Sequence, residues 1–230
     1  EDAAVTGDAG MPVDVPAQTV AMLLNSLAMG AGGVSAHGQP AKGIWEDGHS
    51  RETRVVDRVF DACTPVLLRM PSESFNAQSI STIMNAYASA DRWHLALFRR
   101  LGSMAVAMPV STLALQPVAM IVNAYSRLMQ QDHVVSAWDV EESDILLFQG
   151  MAHTAASLAK DIRHPQPSSA RSVALIVNAL AKVGVTEKHV FGELSGLLLR
   201  AQRADAASHV SGSDGSGSDL RYDAQAVSNI

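Results

Sequence analysis

Apolar residues recur at helical spacing in one short segment that the chain uses four times. If the first apolar residue of each copy is position i, apolar residues return at i+3, i+4 and i+7, on one face of an α-helix. The four starting residues are Val20, Ile80, Val118 and Val173, and a shorter match begins at Gln225. Repeated copies of one amphipathic helix predict a repeat protein whose units stack into a solenoid.

A second helix is predicted after each copy, so the chain is expected to fold as a series of helix pairs. The first helices are predicted over 17–29, 75–90, 115–129 and 168–183, and their partners over 51–70, 92–107, 141–159 and 187–203. Pro71, Pro109 and Pro165 follow predicted second helices, as expected because proline cannot continue a helix. The predicted fold is all-α, an α-solenoid of about four helix–turn–helix pairs plus the start of a fifth.

The spacing between copies predicts the domain organisation. Asn85 and Asn123, which are equivalent, lie 38 residues apart, and longer intervals elsewhere hold insertions that cost little free energy. The expected parts are an acidic lead-in over 1–16, a repeat domain over 17–203 with loop insertions at 30–50 and 130–141, a Gly/Ser/Asp linker or insertion over 204–220, and the start of a further repeat over 221–230. The chain begins without methionine and stops within a repeat, so we expect an internal segment of a longer protein.

The composition agrees with helix packing. Apolar residues make up 47% of the chain but aromatic residues only 5%, a balance that suits packed helices better than β-sheets. No apolar run approaches the roughly 18 residues of a membrane span. Cys63 is the single cysteine, which excludes a disulfide framework and suggests a reducing compartment.

The net charge of −6 comes from the two ends of the chain. Residues 1–14 carry four acids and no base, and residues 205–223 carry four acids and one base. The helical body between them is therefore near neutral. This balance is compatible with modest RNA contact, but no basic stripe indicates it.

A second set of repeated positions is polar. Positions i−2, i+5 and i+9 lie on one line nearly opposite the apolar face, and stacked repeats would align them in rows. The candidate RNA-binding residues are Gln78, Asn85, Gln116, Asn123, Arg127, Arg171, Asn178 and Lys182. Amides suit base edges and cations suit phosphates. The alternative is a ladder in which each asparagine bonds a neighbouring repeat, since helix interiors disfavour asparagine without a cause.

The motif Q-(S/P)-(I/V)-x-x-(I/L)-(M/V)-N-A-(Y/L)-(A/S), with its 38-residue spacing, resembles the octotricopeptide and heptatricopeptide repeats of organellar RNA-binding proteins. The resemblance covers about 17–203. The low-complexity insertions resemble those of apicomplexan mitochondrial members, some of which are parts of mitochondrial ribosomes. The resemblance implies an α-solenoid in the mitochondrial matrix that contacts RNA, with ribosomal RNA and neighbouring proteins as partners.

Other chemistry finds little support in the sequence. The eight histidines are scattered without metal-ligand spacing, and no catalytic set, cofactor motif or small-molecule substrate site is predicted. The segment RWHLALFRR is the most basic helix, and its Trp93 could stack on a base. The alternative is an exposed basic face with Trp93 packed between repeats.

Two functions follow from these observations. The first is a non-catalytic helical-repeat protein associated with organellar RNA, as a structural subunit of the mitochondrial ribosome. The second is a protein–protein scaffold in another mitochondrial complex, which the near-neutral body suits equally well.

Overall fold

The computed structural model describes residues 15–31, 51–131 and 142–211, and the regular secondary structure in these ranges is helical throughout. The helices are α1 (Ala17–Ala31), α2 (Arg51–Arg69), α3 (Ala77–Ser89), α4 (Leu95–Ala107), α5 (Leu115–Leu128), α6 (Glu142–Asp161), α7 (Pro167–Lys182) and α8 (Lys188–Ser211). Single-turn 3-10 helices at Ser72–Ser74 and Val110–Thr112 precede α3 and α5. The prediction of an all-α chain is confirmed.

The helices form two layers. Helices α1, α3, α5 and α7 lie side by side, each packing most extensively on the next, and we call them the first-layer helices. Helices α2, α4, α6 and α8 form the second layer, where each contacts its neighbour and its own first-layer partner. Four helix pairs stacked in sequence order are an α-solenoid, as predicted.

The apolar stripe explains why each first-layer helix forms where it does. In α3 and α5 all four stripe positions are buried, ending at Tyr87 and Tyr125. In α7 three of the four are buried, and Val177 is partly exposed. Burial of such a face supplies most of a helix's stability in water. The exception lies in α1, where Leu23 is 49% exposed.

Local signals fix the helix ends. The Asn76 side chain accepts a hydrogen bond from the Ser79 backbone N–H at 2.8 Å, and the Ser79 hydroxyl accepts one in return, which makes a capping box for α3. Two residues after α7 comes Gly184, whose φ of 76° is in the left-handed region that favours glycine. After α3 the same left-handed position is taken by Asp91, with φ 55°.

The helix boundaries differ from the predicted ones chiefly at α8. The linker was predicted from 204, but the helix continues to Ser211, so that boundary is wrong. Alanines at 204, 206 and 207 are strong helix formers and extend the last turns. The lead-in up to residue 14, most of both loop insertions and the fifth repeat at 221–230 lie outside the described residues. Among the helices that are described, none is long and apolar enough to cross a membrane.

Candidate nucleic-acid interface

The predicted polar rows occupy equivalent places on neighbouring first-layer helices. Gln78 and Gln116, near the starts of α3 and α5, and Arg171, in the second turn of α7, are exposed. Two turns later, the equivalent asparagines Asn85, Asn123 and Asn178 are half-buried. The rows therefore exist as surfaces. The asparagine side chains are less exposed than expected for positions opposite the apolar face. The reason is that neighbouring first-layer helices cover both sides of each helix.

The asparagine amides are available to a ligand. The side chains of Asn85, Asn123 and Asn178 make no hydrogen bond with any residue that the structure describes. No nitrogen or oxygen of these side chains is fully buried without a partner either. The hydrogen-bonded ladder between repeats is therefore not present among the described residues.

The three cations of the rows differ in their surroundings. The Arg127 guanidinium lies over the Trp93 ring, with its central carbon 5.7 Å from the ring centroid, in cation–π geometry. Arg171 and Lys182, at the two ends of α7, are exposed and make no ion pair with a described residue. Free positive charge in the rows is therefore concentrated on α7.

Trp93 is packed between repeats rather than presented to a ligand. Its indole N–H donates to Asp91 Oδ1 at 2.7 Å, its ring lies 6.1 Å from that of Phe98, and Arg127 of the next repeat covers it. These contacts confirm the packing alternative for Trp93. Asp91, which adopts a left-handed conformation, thus accepts the hydrogen bond that orients the indole.

The basic segment is not an exposed basic face, so that part of the prediction is wrong. Arg92 forms an ion pair with Asp57, and Arg100 donates to the backbone carbonyl of Met70 at the end of α2. Arg99 forms a bidentate ion pair with Asp144. These partners lie in neighbouring second-layer helices, so the arginines join repeats instead of facing a phosphate backbone.

A buried polar cluster that the sequence did not predict is made of Arg99, Tyr125 and Asp144. Arg99 Nε and Nη2 donate to the two carboxylate oxygens at 3.0 and 2.7 Å, and the Tyr125 hydroxyl donates to Asp144 Oδ1 at 2.5 Å. Asp144 is only 1% exposed. Burial, together with the bond to the carboxylate, raises the pKa of Tyr125 far above its usual value.

A signal for this cluster was present in the sequence. Asp144, Leu147, Phe148 and Met151 follow the apolar spacing of α6, and an acid on such a stripe requires a buried partner. The position of Asp144 on the stripe indicates the pair with Arg99.

Tyr87, the equivalent residue one repeat earlier, contacts the preceding second-layer helix instead of the following one. Its hydroxyl lies 2.9 Å from Thr64 Oγ1 and donates to the Phe60 carbonyl at 3.1 Å, both in α2. Its ring meets that of Phe60 edge-on, with centroids 4.9 Å apart. Burial raises the pKa of Tyr87 to about 12. Both tyrosine hydroxyls therefore connect the two layers.

The remaining chemistry offers little to a substrate. A cavity of about 190 Å³ lies beside Phe148, where the C-terminal ends of α5 and α7 meet α6, with Lys182 in its lining and the Asp144 carboxylate already bonded to Arg99. Burial raises the pKa of the Cys63 thiol, which lowers its nucleophilicity at neutral pH. Within the described ranges, no three His, Cys, Asp or Glu side chains are placed to hold a metal ion.

Comparison of the chain with protein-family models and with curated proteins gave no match. The geometry of the rows and the repeat fold are therefore the basis for any functional conclusion.

Proposed function

We propose that this chain is a non-catalytic helical-repeat protein that associates with RNA through the polar rows of its first-layer helices. The observation that carries the proposal is the set of unbonded amides at one register, led by Asn85 and Asn123. An amide both donates and accepts hydrogen bonds, and unpaired bases offer matching groups on their edges. A helix that keeps asparagine at such positions loses helix propensity and gains no internal bond in return.

The proposed RNA is organellar and the proposed setting is the mitochondrial ribosome, with the chain as a structural subunit. This part of the proposal rests on the resemblance of the repeat motif to octotricopeptide and heptatricopeptide repeats. The distribution of charge favours a subunit over an autonomous binder, since Arg92, Arg99 and Arg100 are occupied by contacts within the fold. Neighbouring proteins would then supply part of the affinity.

The amides can be tested with a fluorescent single-stranded RNA of mixed sequence and purified protein. Replacing both Asn85 and Asn123 by alanine is expected to weaken binding about tenfold or more, because each amide that meets a base edge contributes of order 1–3 kcal/mol. Gln202→Ala, which removes an exposed amide from α8, is the control and should bind like the wild type. Equal binding by all three proteins would contradict a role for the rows.

The cations can be tested separately by the dependence of binding on salt. Replacing Arg171 and Lys182 by alanine should reduce the slope of log K against log salt by roughly 1.4, at about 0.7 per phosphate contact for single strands. Replacing Arg163 and Lys188, exposed cations outside the rows, should leave the slope unchanged. A slope that falls equally in both variants would indicate non-specific attraction.

A second candidate is the protein–protein scaffold, and one observation favours it. Ile145 and Leu146, which are adjacent in α6, are 48% and 56% exposed. Adjacent exposed aliphatic side chains are more typical of a protein contact than of an RNA contact. Purification of the native complex distinguishes the two functions: RNA that remains bound after a salt wash supports the first, and protein partners alone support the second.

A further inference from the structure

Arg127, in the last turn of α5, differs from the arginines that join the second-layer helices. Arg100 and Arg200 each donate to a backbone carbonyl and bury their Nε atom. The Arg127 side chain makes no hydrogen bond or ion pair with any residue that the structure describes. No nitrogen of its guanidinium is buried without a partner, so its N–H groups reach the surface. These donors are therefore available to a ligand.

The Arg127 guanidinium is nevertheless held in one place. It lies over the Trp93 ring, with 5.7 Å between its central carbon and the ring centroid. The ring is itself fixed, because the indole N–H donates to Asp91 Oδ1 at 2.7 Å and the ring packs beside that of Phe98. A cation–π contact attracts the charge of the guanidinium without forming a conventional hydrogen bond. Trp93 therefore restrains Arg127 while its N–H groups stay unbonded.

The ring beneath Arg127 is not explained by the position of this residue in its helix. A cation in the last turn of a helix offsets the negative end of the helix dipole. Lys182 occupies the equivalent position in α7 and has no cation–π contact with a described ring. The residue equivalent to Trp93 in the repeat before α7 is Gln131. The dipole therefore accounts for a basic residue at this position but not for its aromatic support.

Arg127 also lies next to an amide of the polar rows. Asn123 is one turn earlier on the same face of α5, and its side chain makes no hydrogen bond with a described residue. Side chains one turn apart are separated by about 5–6 Å at their Cβ atoms. A nucleotide spans at least this distance between the edge of its base and its phosphate. A strand that places a base at Asn123 would therefore pass its backbone close to Arg127.

We propose that Arg127 binds a backbone phosphate of the RNA and that Trp93, fixed by Asp91, is the positioning residue that holds the guanidinium for it. The inference rests on the proposed association with RNA and names a phosphate site within it. A planar guanidinium can form two parallel hydrogen bonds with phosphate oxygens, which a lysine cannot do. A side chain that is already held loses less conformational freedom on binding than a free one.

The phosphate contact is tested by measuring the binding of the fluorescent single-stranded RNA over a range of salt concentrations. Arg127→Ala should weaken binding and reduce the slope of log K against log salt by about 0.7, the value for one phosphate contact to a single strand. Arg127→Lys should keep the slope, because the charge remains, but should bind more weakly, because the paired hydrogen bonds are lost. Arg163→Ala, which removes an exposed cation outside the rows, is the control and should match the wild type.

The positioning role of Trp93 is tested by a double-mutant cycle with Arg127. Trp93→Leu removes the aromatic ring and should weaken RNA binding about two- to tenfold, which is the cost of ordering one released side chain. In a protein that already carries Arg127→Ala, the same change should have no effect on affinity, since no guanidinium is left to hold.

Trp93→Phe is the conservative variant in this cycle. It keeps an aromatic ring with a weaker attraction for cations, so its affinity should lie between those of the wild type and Trp93→Leu. Thermal unfolding shows which variants are folded. If Trp93→Leu is not folded, the cycle with Arg127→Ala is measured with Trp93→Phe.

Three results would overturn this proposal while RNA binding by the wild type persists. Arg127→Ala could bind with the affinity and salt slope of the wild type, so that no phosphate contacts the guanidinium. Trp93→Leu could have no effect on affinity, or it could weaken binding equally with and without Arg127, as it would if the ring acted only through the packing of the repeats. A wild type that binds no RNA would instead overturn the proposed function and this site together, so the two failures are distinguishable.

Discussion

Asp144, at the start of α6, accepts two hydrogen bonds from the Arg99 guanidinium of α4 while only 1% of the aspartate is exposed. The pair joins the second and third repeats through the second layer. A buried pair of this kind is costly to break on one side only, because the remaining charge keeps its desolvation penalty without its partner.

Asp144→Ala is therefore expected to lower the free energy of unfolding by about 3–5 kcal/mol. The change leaves the Arg99 guanidinium without its carboxylate and the Tyr125 hydroxyl without its acceptor. Urea unfolding followed by circular dichroism measures the loss. Glu142→Ala, in the same helical turn but exposed, should change stability by no more than about 0.5 kcal/mol. Similar losses in both variants would mean that the pair contributes nothing specific.

Tyr87 predicts a loss of stability in alkaline solution. An unfolded tyrosine ionises near pH 10, whereas burial raises the pKa of Tyr87 to about 12 in the folded chain. The contribution of Tyr87 to the free energy of unfolding is fully present below pH 10. It is lost as the pH rises towards 12, since unfolding releases a proton in that pH range. The free energy of unfolding should fall there by about 1.4 kcal/mol per pH unit for this one group.

Tyr87→Phe provides the matched comparison, because it keeps the ring that packs on Phe60 and removes the ionisable hydroxyl. Urea midpoints measured between pH 9 and pH 12 should fall less steeply in this variant than in the wild type. Identical slopes would mean that the hydroxyl ionises equally readily in the folded and unfolded chains.

The close packing of Gly102, in α4, against the third repeat predicts that a larger side chain there destabilises the fold. A Cβ atom built there would lie 2.2 Å from Leu147 Cδ1 and 3.4 Å from Tyr125 Cε2. Leu147 is buried and its Cγ would lie 3.3 Å from the same Cβ, so more than the tip of its side chain would have to shift. Gly192, in α8, has nothing within 4 Å of the same position, so Gly192→Ala should raise stability by up to about 1 kcal/mol through helix propensity alone.

Gly102→Ala should then be about 1–3 kcal/mol less stable than Gly192→Ala, because overpacking acts in only one of the two. Thermal and urea unfolding of the pair give this difference directly. If both alanines stabilised the protein equally, Leu147 would have adjusted at no cost.

Asn123→Ala is predicted to leave the free protein as stable as the wild type or up to about 0.7 kcal/mol more stable. The side chain makes no hydrogen bond with the described residues, and alanine is the better helix former. An asparagine that bonded a neighbouring repeat would instead cost about 1–3 kcal/mol when removed. Thermal unfolding without RNA measures the sign of this change in stability. A clear loss of stability would indicate that Asn123 bonds a neighbouring repeat.

The repeat architecture could be predicted from the sequence because one apolar stripe recurs around Ile80, Val118 and Val173. A single stripe with the period of an α-helix shows that the segment is helical and which side of it packs on the partner helix. It does not fix lateral packing, which here buries small residues such as Ser81 and Ser126 that have no hydrophobic signature. The prediction of one apolar face and one opposite polar line was therefore too simple.

The chemistry of the site was predicted less completely than the fold. The amides recur at the predicted register because their positions follow from periodicity alone, but the asparagines are half-buried instead of exposed. The residues that Arg92, Arg99 and Arg100 contact are far from these arginines in the sequence. The periodicity of one helix gives no information on such contacts. Charge counted along the sequence consequently overstated the cations available to RNA.

The arginine contacts of the second layer also determine how the solenoid comes apart. Arg100 donates to the carbonyl of Met70, directly after the preceding second-layer helix, and Arg200 donates to the carbonyl of Ala159 within its own preceding helix. Removing one repeat therefore strips a polar partner from the next, in addition to exposing apolar surface. Unfolding should spread from one repeat into its neighbours with high cooperativity, so amide protons in all four helix pairs should exchange at similar rates instead of in a graded series.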